Sequence, residues 1–269
     1  MYKSDKIIIT VALSGETSRN QSKYIPYTPE EIALSAIEAG KAGASIAHIH
    51  VRDSNGNPSS DPEIYKKVVK LIKKESDIII NCTTSGSRYD EKRKVLEINP
   101  EIATLNCGST NLDDKQMLNT QSELEKMSTE MINRNIKPEI MIHSQGFIDN
   151  AQKLIEKGKI KPPYYFNLFF ASGAMKPSLS TLSYLVDSLP QNSIWTATGS
   201  DSNAFNMATS SIIYGSTARI GLEDCIYLSE GNLAKSNAQL VEKLVKLARE
   251  LGKEIMTPNE AREIMKISY

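Results

Sequence analysis

An apolar run ends in the segment Ala44-Ser45-Ile46-Ala47-His48-Ile49-His50-Val51-Arg52-Asp53. Such a run predicts a buried strand, and side chains two positions apart on a strand point to the same face. His48 and His50 therefore project together, although two imidazoles on a buried strand are costly unless they pair or bind something. Two interpretations stay open: a hydrogen-bonded structural pair, or two ligands of one metal ion.

The rest of the chain alternates short apolar runs with helical segments. We predict eight strands, at Ile7–Leu13, Ser45–Val51, Ile78–Cys82, Ile102–Asn106, Glu139–His143, Tyr165–Phe170, Ser193–Thr198 and Ala218–Leu222. We predict helices between and after them, near 29–42, 61–74, 91–97, 114–134, 149–157, 179–188, 204–214 and 232–251. Strands that are separated by helices pair in parallel through crossover connections.

This alternation predicts an α/β fold, a (β/α)8 barrel of the TIM type, because eight such units fit a chain of 269 residues. A doubly wound open sheet is the alternative, but its typical glycine-rich turn does not follow the first strand. Capping boxes at Thr28-Pro29-Glu30-Glu31 and Thr257-Pro258-Asn259-Glu260 predict helix starts. We expect a single domain over 1–269, with an additional C-terminal helix at Glu260–Met265.

Composition narrows the classes of partner. The chain has 32 basic and 32 acidic residues and a formal net charge of zero, which favours neither nucleic acid nor a membrane surface as partner. There is no apolar run of membrane-spanning length, and the first residues lack the apolar core of a signal peptide. Three widely spaced cysteines, Cys82, Cys107 and Cys225, argue against a disulfide framework, so we expect a cytoplasmic protein.

The end of the eighth predicted strand reads Arg219-Ile220-Gly221-Leu222-Glu223-Asp224. In a closed barrel this strand lies beside the first, and the active site gathers at the C-terminal ends of the strands. One carboxylate can complete a metal site with the two histidines, since two histidines and a carboxylate with an open position form a common catalytic zinc site. A neighbouring Arg–Asp pair can hold an ionised aspartate as a base, although an ordinary strand-end salt bridge is the alternative.

Other strand ends are also polar. The turn Thr83-Thr84-Ser85-Gly86 offers hydroxyl and backbone N–H groups that can hold a carboxylate or a phosphate. Thr104 and Asn106 end the fourth predicted strand, and Glu16 follows the first. We expect His143, after the fifth strand, to be a hydrogen-bonded pocket residue rather than a metal ligand.

Together these segments resemble the β-keto acid cleavage enzyme family, nearly from end to end. The resemblance is carried by Gly15-Glu16-Thr17, Ile25-Pro26-Tyr27-Thr28-Pro29-Glu30-Glu31, His48-Ile49-His50-Val51-Arg52, Ala103-Thr104-Leu105-Asn106-Cys107-Gly108, Arg219-Ile220-Gly221-Leu222-Glu223-Asp224, Ser236-Asn237-Ala238-Gln239-Leu240-Val241 and Thr257-Pro258-Asn259-Glu260-Ala261-Arg262-Glu263-Ile264.

The resemblance implies a (β/α)8 barrel that assembles as a homotetramer and binds Zn²⁺ through His48, His50 and Glu223. It implies conversion of a β-keto acid and acetyl-CoA into acetoacetate and a new acyl-CoA. By position, Asp224 matches the family's base and Arg219 its partner. The positions that match substrate-contacting residues are Thr83, Gly86, Thr104, Asn106 and Glu16. Glu16 matches the carboxylate that recognises a substrate amino group, which favours 3-keto-5-aminohexanoate and a role in lysine degradation.

Some positions depart from the family pattern and keep alternatives open. Met141 stands where the family usually has a glutamate, and Ser202 where an arginine is expected. These departures leave the side chain of the β-keto acid and the acyl acceptor open. The alternatives are a metal-dependent, amidohydrolase-like hydrolase, a CoA-dependent lyase or aldolase, and a barrel that binds a metal and a ligand without catalysis.

Overall fold

A barrel of eight parallel strands forms the centre of the computed structural model, which describes residues 5–86, 88–112, 115–171, 174–215 and 217–267. The strands are β1 Ile9–Ala12, β2 Ile46–Ile49, β3 Ile79–Cys82, β4 Ile102–Asn106, β5 Lys137–Ile142, β6 Tyr164–Phe170, β7 Ser193–Gly199 and β8 Ala218–Ile220. Their order around the sheet is β7-β6-β5-β4-β3-β2-β1-β8. The seam between β7 and β8 is bridged where the Thr217 N–H donates to the Trp195 carbonyl at 3.1 Å. The predicted (β/α)8 fold is confirmed, whereas the single domain over 1–269 stays a prediction.

Helices cover the outside of the barrel. They are α1 Pro29–Ala42, α2 Pro62–Lys73, α3 Tyr89–Lys94, α4 Gln121–Asn133, α5 Gln145–Glu156, α6 Leu179–Asp187, α7 Ala204–Ile213, α8 Asn237–Glu250 and the additional C-terminal α9 Pro258–Met265. Short 3₁₀ turns lie at Val95–Ile98 and Asp201–Asn203. Both predicted capping boxes are present, at Thr28 and Thr257. Among these described helices, none is long and apolar enough to cross a membrane.

Three helices begin elsewhere than predicted. The helix expected near 114–134 begins at Gln121, because Thr110–Leu112 and Lys115–Met117 pair as an antiparallel hairpin; residue 114 itself lies outside the described residues. The helix expected near 232–251 begins at Asn237, because Asn232–Leu233 pairs with Tyr227–Ser229. The helix expected near 149–157 begins four residues earlier, at Gln145. In the first two cases a short hairpin forms hydrogen bonds with backbone N–H and C=O groups that the sequence pattern placed in the helix.

The barrel interior has an apolar floor and a polar upper half. Ile46, Ile79, Ile102, Tyr165 and Ile194 belong to one buried cluster, which residues of the C-terminal segment such as Met256 and Met265 also join. Two further apolar clusters lie between the strands and the surrounding helices. The apolar floor lies toward the N-terminal end of the barrel, and the two histidines and Glu223 lie toward its C-terminal end.

The pairing of β8 with β1 leaves no space for a side chain at Gly221. A Cβ atom there would lie 1.9 Å from the Ala12 carbonyl oxygen. We therefore expect Gly221→Ala to reduce the free energy of unfolding by more than about 2 kcal/mol, because the backbone of β1 has to move. Urea unfolding followed by circular dichroism measures this change.

Gly146→Ala is the matched control, since a Cβ there would lie 4.0 Å from Ser144 Oγ and the residue lies in α5. Alanine is favoured over glycine in a helix by about 1 kcal/mol, so this variant is expected to be at least as stable as the parent. Equal stability of the two variants would show that β8 does not pack closely on β1.

Candidate active site

Three side chains that can bind a metal ion meet at the C-terminal end of the barrel. His48 lies on β2 and His50 follows this strand, whereas Glu223 follows β8. The β1 strand lies between β2 and β8. The two Nε2 atoms are 3.2 Å apart. The Glu223 carboxylate oxygens lie 3.6 Å from His48 Nε2 and 3.5 Å from His50 Nε2. The structure thus brings together the three residues that the sequence analysis singled out.

These separations suit a tetrahedral metal ion. Ligand bonds of 2.0–2.1 Å hold the donor atoms about 3.4 Å apart, close to the distances observed. Burial lowers the pKa of His48 to about 3, so its imidazole is neutral and has a lone pair to offer. Glu223 Oε2 is buried and has no hydrogen-bond partner among the described residues. The donor set fits a divalent ion such as Zn²⁺ better than it fits a purely structural histidine pair.

Arg219 joins this site to Asp224. Its Nε and Nη2 donate to the two Asp224 carboxylate oxygens at 3.0 and 2.8 Å, and Nη2 also donates to Glu223 Oε1 at 2.7 Å. Arg219 and Asp224 are buried, so the predicted pair is an internal ion pair and differs from an ordinary surface salt bridge.

The two carboxylates beside Arg219 have different pKa shifts. Burial raises the pKa of Glu223, but the adjacent His50, Arg219 and His48 side chains outweigh burial and hold this pKa well below its usual range. For Asp224, burial dominates and raises the pKa to about 6, although Arg219 opposes the shift. Glu223 is thereby kept ionised, the form in which a carboxylate can bind a metal, whereas Asp224 can exchange a proton near neutral pH, as a general base does.

A buried glutamate on the opposite side of the barrel lies near His48. Glu139 on β5 accepts hydrogen bonds from Asn81 Nδ2 at 2.6 Å and from Asn167 Nδ2 at 2.8 Å. Thr198 Oγ1 in turn donates to Asn167 Oδ1 at 2.7 Å, and Glu139 Oε2 lies 3.9 Å from His48 Nδ1. Among the described residues, His48 Nδ1 has no hydrogen-bond partner, so Glu139 lies beside the ring without being bonded to it. The sequence analysis missed this network, although one acidic and two amide residues inside apolar strands were a usable signal.

The turn after β3 is tied to the end of β4. Thr84 N–H donates to Thr104 Oγ1 at 2.7 Å, and Thr84 Oγ1 donates to the Thr104 carbonyl at 2.7 Å. Thr83 Oγ1 accepts a hydrogen bond from the Ser85 N–H at 3.1 Å. Thr104 therefore supports the turn that presents Thr83, and a direct substrate contact by Thr104 stays a prediction.

The remaining predicted substrate residues lie at the same end of the barrel. Asn106 ends β4 and is buried, and Gly86 has a φ of +145°, in the region that favours glycine. Glu16 lies in the loop after β1 with an exposed side chain. Of the two departures from the family pattern, Met141 is buried on β5 and Ser202 is exposed in the turn after β7.

His143 differs from the expectation. It is buried, and neither ring nitrogen has a hydrogen-bond partner among the described residues. Its ring packs instead against Phe147 and Phe169, with centroid separations of 5.5 and 5.0 Å. Burial lowers its pKa to about 4, so the ring is neutral. It is not part of the cluster of candidate metal ligands.

Comparison with known proteins decides the family. The sequence model of the β-keto acid cleavage enzyme family matches residues 6–267. The chain belongs to this family. It is 40% identical over 269 residues to the 3-keto-5-aminohexanoate cleavage enzyme of Fusobacterium nucleatum subsp. nucleatum, covering 98% of both chains. It is 34% identical over 292 residues to the 3-dehydrocarnitine:acetyl-CoA trimethylamine transferase of Rhizobium meliloti, covering 98% of this chain and 97% of that one.

A solved structure supports the fold. The apo structure of ObcA superposes with a TM-score of 0.78 at 18% identity, over 92% of this chain and 66% of that chain. Family membership makes this chain an enzyme that acts on β-keto acids, and its relatives include acetyl-CoA-dependent transferases. The alternative of a non-catalytic binding barrel is therefore wrong, and the family favours acyl transfer over hydrolysis.

The metal-binding geometry makes a direct prediction about metal content. His48→Ala and Glu223→Gln each remove one of three facing ligands, so both variants are expected to retain far less metal than the parent protein after dialysis. His143→Ala also removes a buried histidine, but one outside the cluster, and is expected to retain the parent's metal content. Elemental analysis by mass spectrometry measures the ratio of metal to protein. Equal metal loss in His143→Ala would contradict the assigned ligand set.

Proposed function

We propose that this enzyme uses a metal ion, Zn²⁺, on His48, His50 and Glu223 to transfer an acyl group from a β-keto acid to CoA. The reactants are the β-keto acid and acetyl-CoA, and the products are acetoacetate and a new acyl-CoA. The observation that carries the proposal is the three-ligand cluster beside the buried Arg219–Asp224 pair, in a member of this family. A metal ion bound there supplies Lewis acidity toward the oxygens of the substrate.

Asp224 is proposed as the base. It removes the proton from the carbon between the carboxylate and the ketone, while Arg219 fixes the direction of its carboxylate. The resulting carbanion attacks the thioester carbonyl of acetyl-CoA and expels the CoA thiolate. The thiolate then attacks the original keto carbon, and cleavage of the adjacent carbon–carbon bond forms the new acyl-CoA. The carbanion that leaves takes back a proton from Asp224 and departs as acetoacetate.

The turn after β3 is proposed to hold the substrate's charged groups. Thr83 and Gly86 lie in this turn, and Asn106 ends the next strand, so hydroxyl, backbone and amide donors can reach a carboxylate and the developing oxyanions. Thr104 contributes through its two hydrogen bonds to Thr84. The protein orients these donors before the substrate binds. Hydrogen-bond donors oriented in this way stabilise the transition state.

The substrate proposed is 3-keto-5-aminohexanoate, with 3-aminobutyryl-CoA as product. Two observations support it: Glu16 supplies a carboxylate for the substrate's ammonium group, and a relative that carries this substrate in its name is 40% identical. This assignment places the enzyme in lysine degradation. A homotetramer is part of the same proposal, since the resemblance to the family implies it, and the three widely spaced cysteines favour the cytoplasm.

Product analysis tests the reaction. Purified, metal-quantified protein is mixed with acetyl-CoA and a panel of β-keto acids that includes 3-keto-5-aminohexanoate, and the products are identified by mass spectrometry. We expect acetoacetate and 3-aminobutyryl-CoA. Turnover of only a different β-keto acid would preserve the reaction and reject the substrate, whereas hydrolysis without any CoA product would reject the reaction.

Replacement of the proposed base tests the assignment of Asp224. Asp224→Asn preserves the shape of the side chain and an oxygen for Arg219 but cannot accept the proton. We expect kcat to fall by about 10²- to 10⁴-fold, with metal content unchanged. Asp187→Asn, at the exposed end of α6, is the control and is expected to retain full activity. A variant at Asp224 that binds metal and turns over near the parent rate would exclude this residue as the base.

A further inference from the structure

The buried guanidinium of Arg52 makes three hydrogen bonds that the proposed chemistry does not use. Arg52 lies two residues beyond His50 and is 5% exposed. Its Nη2 donates to the Gly15 carbonyl at 2.9 Å and to the Thr17 carbonyl at 2.8 Å, and its Nη1 donates to the Gly56 carbonyl at 2.9 Å. One side chain thereby joins the segment after β2 to the loop after β1.

Two of these carbonyls lie on either side of Glu16. Because a single nitrogen binds the residue before and the residue after it, the backbone direction at Glu16 is fixed from both sides. The Glu16 carboxylate also lies near enough to interact with the Arg52 guanidinium through its charge. The position of this exposed carboxylate thus depends on a buried arginine.

The other side of the same loop packs against Glu223. A Cβ atom at Gly15, whose φ is +48°, would lie 2.4 Å from Glu223 Cγ. Thr17 Oγ1 donates to the Glu223 carbonyl at 3.4 Å. The loop is therefore held between Arg52 and a candidate metal ligand, so a shift of the loop displaces Glu16 and Glu223 together.

Arg52 itself has little freedom to move. The centre of its guanidinium lies 4.2 Å from the centroid of the Tyr27 ring. A Cβ atom at Gly56 would lie 2.9 Å from the same ring, so this segment packs closely on it. A planar guanidinium can bind three carbonyls and stack on a ring at once, whereas the compact ammonium of lysine cannot.

We infer that Arg52 is a positioning residue that determines specificity: it holds the loop 15–17 so that Glu16 faces the amino group of the substrate. The inference rests on the proposed function for the identity of that substrate. The positioning of the loop does not depend on the proposed function, because the three hydrogen bonds of Arg52 define it. Arg52 acts through Glu16, without contacting the reacting atoms.

The first measurement is hydrogen–deuterium exchange of the peptide that contains residues 15–17, in the full chain. Arg52→Lys is expected to accelerate exchange there, and Arg52→Gln is the second variant in case the first does not fold. Arg19→Lys is the matched control, because Arg19 also lies over the Tyr27 ring, at 4.6 Å, but donates to the Ile25 carbonyl and Glu31 instead. Unchanged exchange in the Arg52 variants would overturn the inference, whatever the activity of the enzyme.

The second measurement compares 3-keto-5-aminohexanoate with 3-ketohexanoate, which lacks the amino group. Arg52→Lys is expected to raise KM for the aminated substrate by about tenfold or more, as for a lost hydrogen bond to a charged group, with a much smaller change for the other substrate. Glu16→Gln should lower the same preference. The double variant should add nothing further, because both residues act through one contact.

The outcomes separate the two proposals. An equal loss of activity on both substrates would show that Arg52 has a general structural role and would overturn the specificity assignment. Independent, additive effects of Arg52→Lys and Glu16→Gln would overturn it as well. Failure of the parent protein to turn over either substrate would reject the proposed substrate, while the exchange measurement would still support or overturn the positioning of the loop.

Discussion

The site depends on one buried arginine that faces two carboxylates. Arg219 donates to both oxygens of Asp224 and to one oxygen of Glu223, and without it two adjacent negative charges would lie unpaired in the barrel interior. Buried charges of one sign are tolerated only when an opposite charge with good geometry lies beside them. The planar guanidinium of Arg219 also orients the two carboxylates differently: Glu223 points toward the histidines and Asp224 points away from them.

A second constraint comes from the opposite wall of the barrel. Glu139 is completely buried, and two amide groups from β3 and β6 donate to it. Its carboxylate approaches His48 from the side away from His50 and Glu223. Polar groups therefore lie near both ring nitrogens of His48, and an apolar cluster fills the barrel below. These features describe a rigid site, as catalysis by oriented electrostatic groups requires.

Loops add the features that distinguish one family member from another. The loop after β1, which carries Glu16, lies between Arg52 and Glu223. A movement of this loop therefore also moves a proposed metal ligand. On the far side, β5 carries Met141, and His143 follows it with no hydrogen-bond partner among the described residues. We propose that the barrel supplies the chemistry of the reaction and that the side chains around its opening select the β-keto acid.

Much of the site could be predicted from the sequence because it follows from local backbone periodicity. Alternation along a strand places His48 and His50 on one face, and closure of a parallel barrel places Glu223 beside them. The capping boxes at Thr28 and Thr257 are local as well, since both partners lie within four residues.

Only the tertiary structure decided which polar groups meet across the barrel. The bond between Thr84 and Thr104, the contact of Glu139 with His48 and the bonds from Arg52 join residues on different strands or loops. These contacts depend on strand register and on side-chain conformations, which packing sets and periodicity does not encode. For the same reason, hairpins that pair backbone groups displaced the predicted helix starts to Gln121 and Asn237.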